Sequence, residues 1–158
     1  MSVEIERKYL VRRLPDDLDK RDGAAIRQGY VIVSEDDVEL RLRHKQEKYY
    51  QTIKMGAGLA RTEIEIELNR DQFEQMWPHT ESRRVDKTRY NISLGDLTAE
   101  LDVFEGGLSG LTLVEVEFAS IKASKAFTPP KWFGPDITED KRYKNKYLAT
   151  HGIPDPCD

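Results

Sequence analysis

Hydrophobic and polar residues alternate along most of this chain, and strict alternation predicts β-strands because successive side chains of a strand point to opposite faces. Short turn-like segments separate the alternating stretches, and several of these segments contain glycine. The pattern predicts about eight strands, over residues 3–11, 25–33, 38–45, 49–55, 62–68, 84–94, 98–104 and 111–118.

Helical segments are fewer, and four are predicted, over residues 15–20, 71–77, 120–127 and 138–149. Asp71, Ser120 and Thr138 are the predicted N-caps of the last three, because short oxygen-bearing side chains accept hydrogen bonds from the first turn of a helix. No repeat or linker divides the chain. A single domain over residues 1–158 is therefore expected, with a flexible tail over 150–158.

Charged residues form 34% of the 158-residue chain, well above the usual quarter, whereas hydrophobic residues form an ordinary 38%. The charges nearly balance, with 25 Lys and Arg against 29 Asp and Glu, so the net charge is -4. This balance argues against a general binder of nucleic acid or of anionic membranes. It leaves room for a local basic site within the fold.

The chain has one cysteine, Cys157, which rules out an internal disulfide framework and a thiolate metal cluster. The N-terminal residues are acidic where a signal peptide needs a basic start and an apolar run. No stretch is long and apolar enough for a membrane span. A cytoplasmic protein without a membrane partner is expected.

Like charges recur two residues apart within the predicted strands, so that each pair shares one strand face. A sheet with one solvated face explains such a pattern on any single strand. Nearly every strand carries it here, however, and solvated faces usually mix signs and include Thr, Ser and Gln. The like-sign pairs are Glu4/Glu6, Arg41/Arg43, Glu63/Glu65, Lys87/Arg89, Glu100/Asp102 and Glu115/Glu117.

Crowded like charges repel unless something between them compensates. Pairs of carboxylates suit a hard divalent cation, and pairs of Arg and Lys suit phosphate. A closed barrel lined by both kinds of pair would hold a complex of a divalent cation with a polyphosphate. In such a barrel the apolar strand faces point outward, where helices, loops or a second copy in a homodimer must cover them.

The motif Glu4-Ile5-Glu6-Arg7-Lys8 resembles the ExExK signature of the CYTH superfamily, also called triphosphate tunnel metalloenzymes. The resemblance covers residues 2–149, and the compact length is similar to short bacterial members, several of which act as inorganic triphosphatases. The other charged motifs follow in the family's order, namely Arg41-Leu42-Arg43, Lys54, Arg61-Thr62-Glu63-Ile64-Glu65, Lys87-Thr88-Arg89, Glu100-Leu101-Asp102 and Glu115-Val116-Glu117.

The resemblance implies a closed eight-stranded antiparallel β-barrel, a tunnel that is open or plugged at one end by a C-terminal helix. It assigns the triphosphate to Lys8, Arg41, Arg43, Lys54, Lys87 and Arg89. It assigns Mg²⁺ or Mn²⁺ to Glu4, Glu6, Glu115 and Glu117, with Glu63 and Glu65 as further acidic support. The candidate catalytic residues are Lys8, Arg41, Lys87 and Glu6.

The expected reaction is hydrolysis of tripolyphosphate to pyrophosphate and phosphate. An adenylate cyclase, a thiamine triphosphatase or a nucleoside triphosphatase would need a pocket for the organic group, and no residue set indicates one. A non-catalytic polyphosphate-binding module would not need the metal carboxylates, which are all present. Tyr30 is interpreted as a core residue, with contact to the tunnel as the alternative. The basic residues Lys141, Arg142, Lys144 and Lys146 are interpreted as the surface of a helix, with one of them at a tunnel mouth as the alternative.

Overall fold

A computed structural model of the protein describes residues 4–34, 38–56 and 62–155. The predicted start of the first strand at Val3, Arg61 of the fifth motif and Cys157 lie outside these ranges. The strands are β1 (Glu6–Val11), β2 (Ala24–Val33), β3 (Glu39–Lys45), β4 (Lys48–Met55), β5 (Thr62–Leu68), β6 (Arg84–Leu94), β7 (Leu97–Phe104), β8 (Thr112–Glu117) and β9 (Phe133–Asp136). The α-helices are α1 (Arg70–Met76), α2 (Ile121–Ala126) and α3 (Asn145–His151).

All nine strands belong to one antiparallel sheet in the order β5-β4-β3-β2-β6-β7-β8-β1-β9. The mainly β, antiparallel fold is thus confirmed. The expectation of a closed barrel is wrong in one respect, since within the described ranges no strand pairing joins β5 to the opposite edge.

The ninth strand, β9, was not predicted, because its sequence contains Gly134 and Pro135. Proline is tolerated there because β9 is an edge strand.

The helix starts differ from the predictions in two of three cases. The side chain of Ser120 caps α2, as predicted, by accepting a hydrogen bond from the amide of Ala123. Helix α1 is capped by Asn69 rather than Asp71, because Asn69 and Gln72 form a reciprocal capping box. The single helix predicted over 138–149 is wrong, since a 3₁₀ turn over Lys141–Tyr143 precedes α3.

Three further 3₁₀ turns occur at Leu18–Lys20, Trp77–Thr80 and Gly106–Leu108. The first of these is the helical turn predicted within residues 15–20. Within the described ranges, every helix is too short and too polar to cross a membrane.

The apolar faces of the strands point outward, and most of them are covered from outside. On β1, β6, β7 and β8 the outward residues pack with Phe118, Phe127 and Phe133, which follow β8 and flank α2. Leu40 and Leu42 of β3 and Leu68 of β5 pack beneath Phe73 and Trp77 of the α1 region, whereas Ile64 and Ile66 of β5 are about half exposed. Burial of these faces from water is the main favourable contribution to the fold. The inversion expected from the sequence, with charges inside and apolar groups outside, is therefore observed.

The inward face changes from apolar to charged along the strands, and this change defines the two ends of the tunnel. At one end Val85, Phe104 and Leu113 point inward and pack against Tyr143 and Leu148 of the C-terminal segment. This packing plugs the interior with an apolar cluster. Further along the same strand faces, the inward positions are charged, namely Lys87 and Arg89 on β6, Asp102 and Glu100 on β7, and Glu115 and Glu117 on β8.

Candidate active site

The charged part of the interior encloses a cavity of about 460 Å³, which we call the tunnel cavity. Its walls combine carboxylates and cationic side chains from seven strands with residues before and within α3. The lining residues are Glu4, Glu6, Lys8, Tyr30, Glu39, Arg41, Arg43, Lys54, Glu63, Glu65, Arg89, Glu100, Glu115, Glu117, Lys144, Asn145 and Lys146. The structure therefore brings together all the predicted site residues except Lys87.

The carboxylates of Glu4, Glu6 and Glu117 converge on one point of the wall. One oxygen atom of each lies within 4.8 Å of an oxygen of the other two. The register of β1 and β8 causes this approach, because Glu6 lies directly opposite Glu117. Partial burial and neighbouring carboxylates raise the pKa of Glu4 and of Glu117. Such mutual repulsion is what a divalent cation relieves when it binds.

The carboxyl groups of Glu6 and Glu115 lie within hydrogen-bond reach of each other. Burial, the negative charge of Glu115 and a hydrogen bond between the two carboxyl groups raise the pKa of Glu6 to about 8. Burial opposes ionisation of Glu115 too, but the charges of Lys8 and Lys87 and this hydrogen bond hold its pKa below the usual range. Glu6 is therefore the protonated partner in the metal-free protein at neutral pH.

Two arginines of β3 and a lysine of β4 form the cationic wall. Arg41 and Arg43 point inward, and Lys54 lies opposite Glu39 and Glu63 in the strand register. Arg41 is held by the hydroxyl of Thr52 at 3.4 Å and lies 3.9 Å from Glu65. Its buried Nε has no hydrogen-bond partner among the described residues, so this arginine retains an unused donor beside the cavity.

Lys8 connects the tunnel wall to the plugged end. Its ammonium lies 3.4 Å from Glu115 and donates a hydrogen bond of 3.0 Å to the carbonyl of Tyr143. The backbone amide of Lys8 also donates to Thr138, so the predicted helix cap instead fixes the chain beside β1. Lys8 is mostly buried and still reaches the cavity.

Lys87 lies beneath the cavity rather than in its lining, which differs from the expected direct contact with substrate. Its side chain is fully buried, forms an ion pair of 2.8 Å with Asp102 and donates to the side chain of Asn145. Burial lowers the pKa of Lys87, and the charge of Asp102 opposes that effect. The physical reason is the position of Lys87 along the tunnel, because Lys87 is the next inward-facing residue of β6 after Arg89 in the direction of the plugged end.

Several lining residues were missed by sequence reasoning. Glu39 and Glu100 share strand faces with predicted site residues, so alternation alone would have found them. Tyr30 was taken as core, and it is both buried and part of the lining. Lys144 and Lys146 were assigned to a helix surface and Asn145 was given no role, because a local pattern cannot show that α3 enters one end of the tunnel.

An antiparallel β-tunnel whose interior opposes carboxylates to cationic side chains defines the class of tunnel proteins that the sequence resembles. The chain belongs to the CYTH family, because the CYTH domain model matches residues 2–129. It is 54% identical to an inorganic triphosphatase from Nitrosomonas europaea, over 93% of this chain and 97% of that protein. It is 32% identical to an inorganic triphosphatase from Acetivibrio thermocellus, over 94% of both chains.

Solved structures show the same fold. The crystal structure of an inorganic triphosphatase matches with a TM-score of 0.75 and 51% identity, over 98% of this chain and 99% of that chain. A conserved hypothetical protein from Pyrococcus furiosus matches with a TM-score of 0.55 and 20% identity, over 78% and 83% of the two chains. At that identity the second match supports the fold alone.

Proposed function

We propose that this protein hydrolyses tripolyphosphate to pyrophosphate and phosphate within the tunnel cavity. The observation that carries the proposal is the convergence of opposed carboxylates and cationic side chains on one cavity. The two inorganic triphosphatases that resemble the chain over more than nine-tenths of its length support the same substrate. In the reaction, water adds to a terminal phosphorus, the bridging P–O bond breaks, and pyrophosphate leaves.

The carboxylate cluster suits a Mg²⁺ or Mn²⁺ ion, because both prefer oxygen ligands and the three converging carboxylates offer them at close range. Glu4, Glu6 and Glu117 would hold the ion, with Glu115, Glu63 and Glu65 as the other carboxylates of the proposed site. When bound, such an ion neutralises phosphate charge and lowers the pKa of a bound water.

The cationic wall would hold the phosphates. Arg41, Arg43 and Lys54 would bind phosphate oxygens from one side, and Lys8 and Arg89 from the other. Because Lys87 is buried and paired with Asp102, its effect on substrate would pass through Asp102 and Arg89. Glu6, which has a raised pKa and is itself one of the proposed cation ligands, would when ionised offer its second carboxylate oxygen to accept a proton from the attacking water.

The lining favours an inorganic substrate over an organic triphosphate. Binding of an adenine or a thiamine ring needs apolar or aromatic surface. Among the described lining residues, Tyr30 is the single aromatic group, and the others are charged or carry an amide. A non-catalytic binding role is disfavoured because every carboxylate of the proposed cation site faces the cavity.

The experiment offers the purified protein tripolyphosphate, ATP, thiamine triphosphate and pyrophosphate in turn, each with Mg²⁺, Mn²⁺ or Ca²⁺, and measures phosphate release. Cyclic AMP is measured in the ATP reaction. We expect tripolyphosphate to be hydrolysed with a far higher kcat/KM than the other substrates. A higher kcat/KM for ATP, or cyclic AMP as the product, would refute the proposal.

We also propose that a second copy of the chain covers part of the outer wall. Ile32, Leu40, Ile53 and Ile64 pair in register across β2, β3, β4 and β5, and so form one apolar stripe. Ile32 and Ile64 are about half exposed, at 45% and 51%. Light scattering of the wild type and of Ile64→Glu tests the dimer, which the variant should convert to a monomer. A wild-type monomer would contradict the proposed dimer.

The protein is also suited to the reducing cytoplasm, because the chain has one cysteine.

A further inference from the structure

Gln28 lies behind the tunnel cavity and contacts two of its lining residues. It stands on β2 directly opposite Arg43 of β3, and its side chain is fully buried. Its amide oxygen accepts two hydrogen bonds from Arg43, from Nε at 3.1 Å and from Nη2 at 2.9 Å. Its amide nitrogen donates to the hydroxyl oxygen of Tyr30 at 3.1 Å.

The orientation of this amide is fixed by chemistry. A guanidinium group has only donors, so the amide oxygen of Gln28 must face Arg43. The amide nitrogen must then face Tyr30, whose hydroxyl accepts that hydrogen bond. The hydroxyl hydrogen of Tyr30 is thereby left to donate elsewhere, and Tyr30 lines the cavity.

Arg43 differs from the neighbouring cations in the charge of its partner. Arg89 is paired with Asp102 and Glu100, Lys8 lies beside Glu115, and Arg41 lies near Glu65. In the part of the chain that the structure describes, Arg43 is held by a neutral group and forms no ion pair. Burial and the positive charges of Arg41 and Arg89 lower its pKa to about 10, so it remains a cation at neutral pH.

We propose that Gln28 is a positioning residue, which fixes the guanidinium of Arg43 at two points without cancelling its charge and directs the Tyr30 hydroxyl to donate to the same phosphate chain. The inference rests on the proposed triphosphate substrate. Two of the five guanidinium N–H groups are used by Gln28, and Nη1 keeps both of its donors for phosphate oxygens. A carboxylate at this position would hold Arg43 equally well but would neutralise it.

The test is Gln28→Glu, which keeps the shape and the two-point contact and adds one negative charge. We expect KM for tripolyphosphate to rise about tenfold or more, with kcat changed much less, because a charge-assisted contact to substrate is weakened. Binding of tripolyphosphate without divalent cation, measured by calorimetry, should weaken by a similar factor. A merely structural role would lower the unfolding midpoint and the active fraction while leaving KM and the binding constant unchanged.

Gln51→Glu is the matched control, because Gln51 lies on β4 with its side chain on the outer face, opposite Leu42 and Ile66. It adds the same charge outside the cavity and should leave KM unchanged. Should Gln28→Glu fail to fold, Tyr30→Phe removes only the hydroxyl and should raise KM several-fold.

Wild-type KM and anion binding in either folded variant would overturn the role of Gln28. The proposal that tripolyphosphate is the substrate would be refuted by a separate result, the absence of phosphate release from tripolyphosphate by the wild type. The calorimetric comparison still tests the positioning role in that case.

Discussion

Arg89 and Asp102 face each other across β6 and β7 and form two parallel hydrogen bonds, Nε to Oδ1 at 2.7 Å and Nη2 to Oδ2 at 2.9 Å. The same carboxylate also pairs with the buried ammonium of Lys87. One buried anion therefore compensates two cations, in the layer that separates the tunnel cavity from the plug. Burial opposes its ionisation, yet Lys87 and Arg89 hold the pKa of Asp102 well below its usual range.

Replacing Asp102 by Asn should destabilise the protein strongly. The variant keeps the shape but leaves Lys87 and Arg89 in a buried layer without their shared anion, and removal of one partner from a buried pair costs about 3–5 kcal/mol. The measurement is the free energy of unfolding in urea. Asp86→Asn is the control, because Asp86 is half exposed on the outer face of β6, the strand of Lys87 and Arg89, and lies 3.9 Å from an exposed Arg27. That variant should cost less than about 1 kcal/mol. Equal losses of unfolding free energy in the two variants would show that the burial of Asp102, Lys87 and Arg89 does not determine the cost.

The sequence predicted the strands and the inward-facing charges because both follow from a local rule, the alternation of side chains along a strand. Eight of the nine strands and most of the cavity lining were found in this way. The same rule placed Glu4, Glu6 and Glu117 on inward faces, and their convergence then follows from the register of β1 and β8.

Depth along the tunnel could not be predicted, because alternation gives the face of a residue but not its distance from the plug. Lys87 and Arg89 share a face, yet only Arg89 reaches the cavity, since α3 brings Asn145 over Lys87. The entry of α3 into one end of the tunnel is a long-range contact that no local pattern specifies. For the same reason the buried partner Gln28 carried no signal in the sequence.

Substitution of either Lys8 or Arg41 by Ala should lower turnover of tripolyphosphate by orders of magnitude, about a hundredfold or more, because each removes a donor from a preorganised anion site. The fold should persist, as judged by circular dichroism and the unfolding midpoint. Arg27→Ala is the control, since Arg27 lies on the outside over the ring of Trp77. Unchanged phosphate release from the Lys8 and Arg41 variants would refute both assignments.

Removal of divalent cations with a chelator should abolish phosphate release, and Mg²⁺ or Mn²⁺ should restore it. Glu117→Gln should raise the Mg²⁺ concentration for half-maximal activity about tenfold or more, because it removes one charged ligand from the converging carboxylates. Glu67→Gln is the matched control, since Glu67 shares the inward face of β5 with Glu63 and Glu65 but lies outside the cavity lining. An unchanged Mg²⁺ requirement in Glu117→Gln would contradict the proposed cation site.

The proton that the raised pKa of Glu6 retains beside Glu115 should make the stability of the metal-free protein depend on pH. The folded-state pKa of Glu6 is raised from 4.5 to about 8, so the folded protein binds this proton more tightly than the unfolded chain. The stability that the proton contributes is therefore complete below pH 4.5 and is lost as the pH rises towards 8.

Glu6→Gln is the comparison variant, because its amide N–H replaces the acidic proton as the donor to Glu115 and does not titrate in this range. The free energy of unfolding of the wild type, measured with chelator present, should accordingly fall relative to that of Glu6→Gln between these two pH values. A difference in unfolding free energy between the two proteins that stays constant from pH 4.5 to 8 would show that the pKa of Glu6 is not raised in the tunnel.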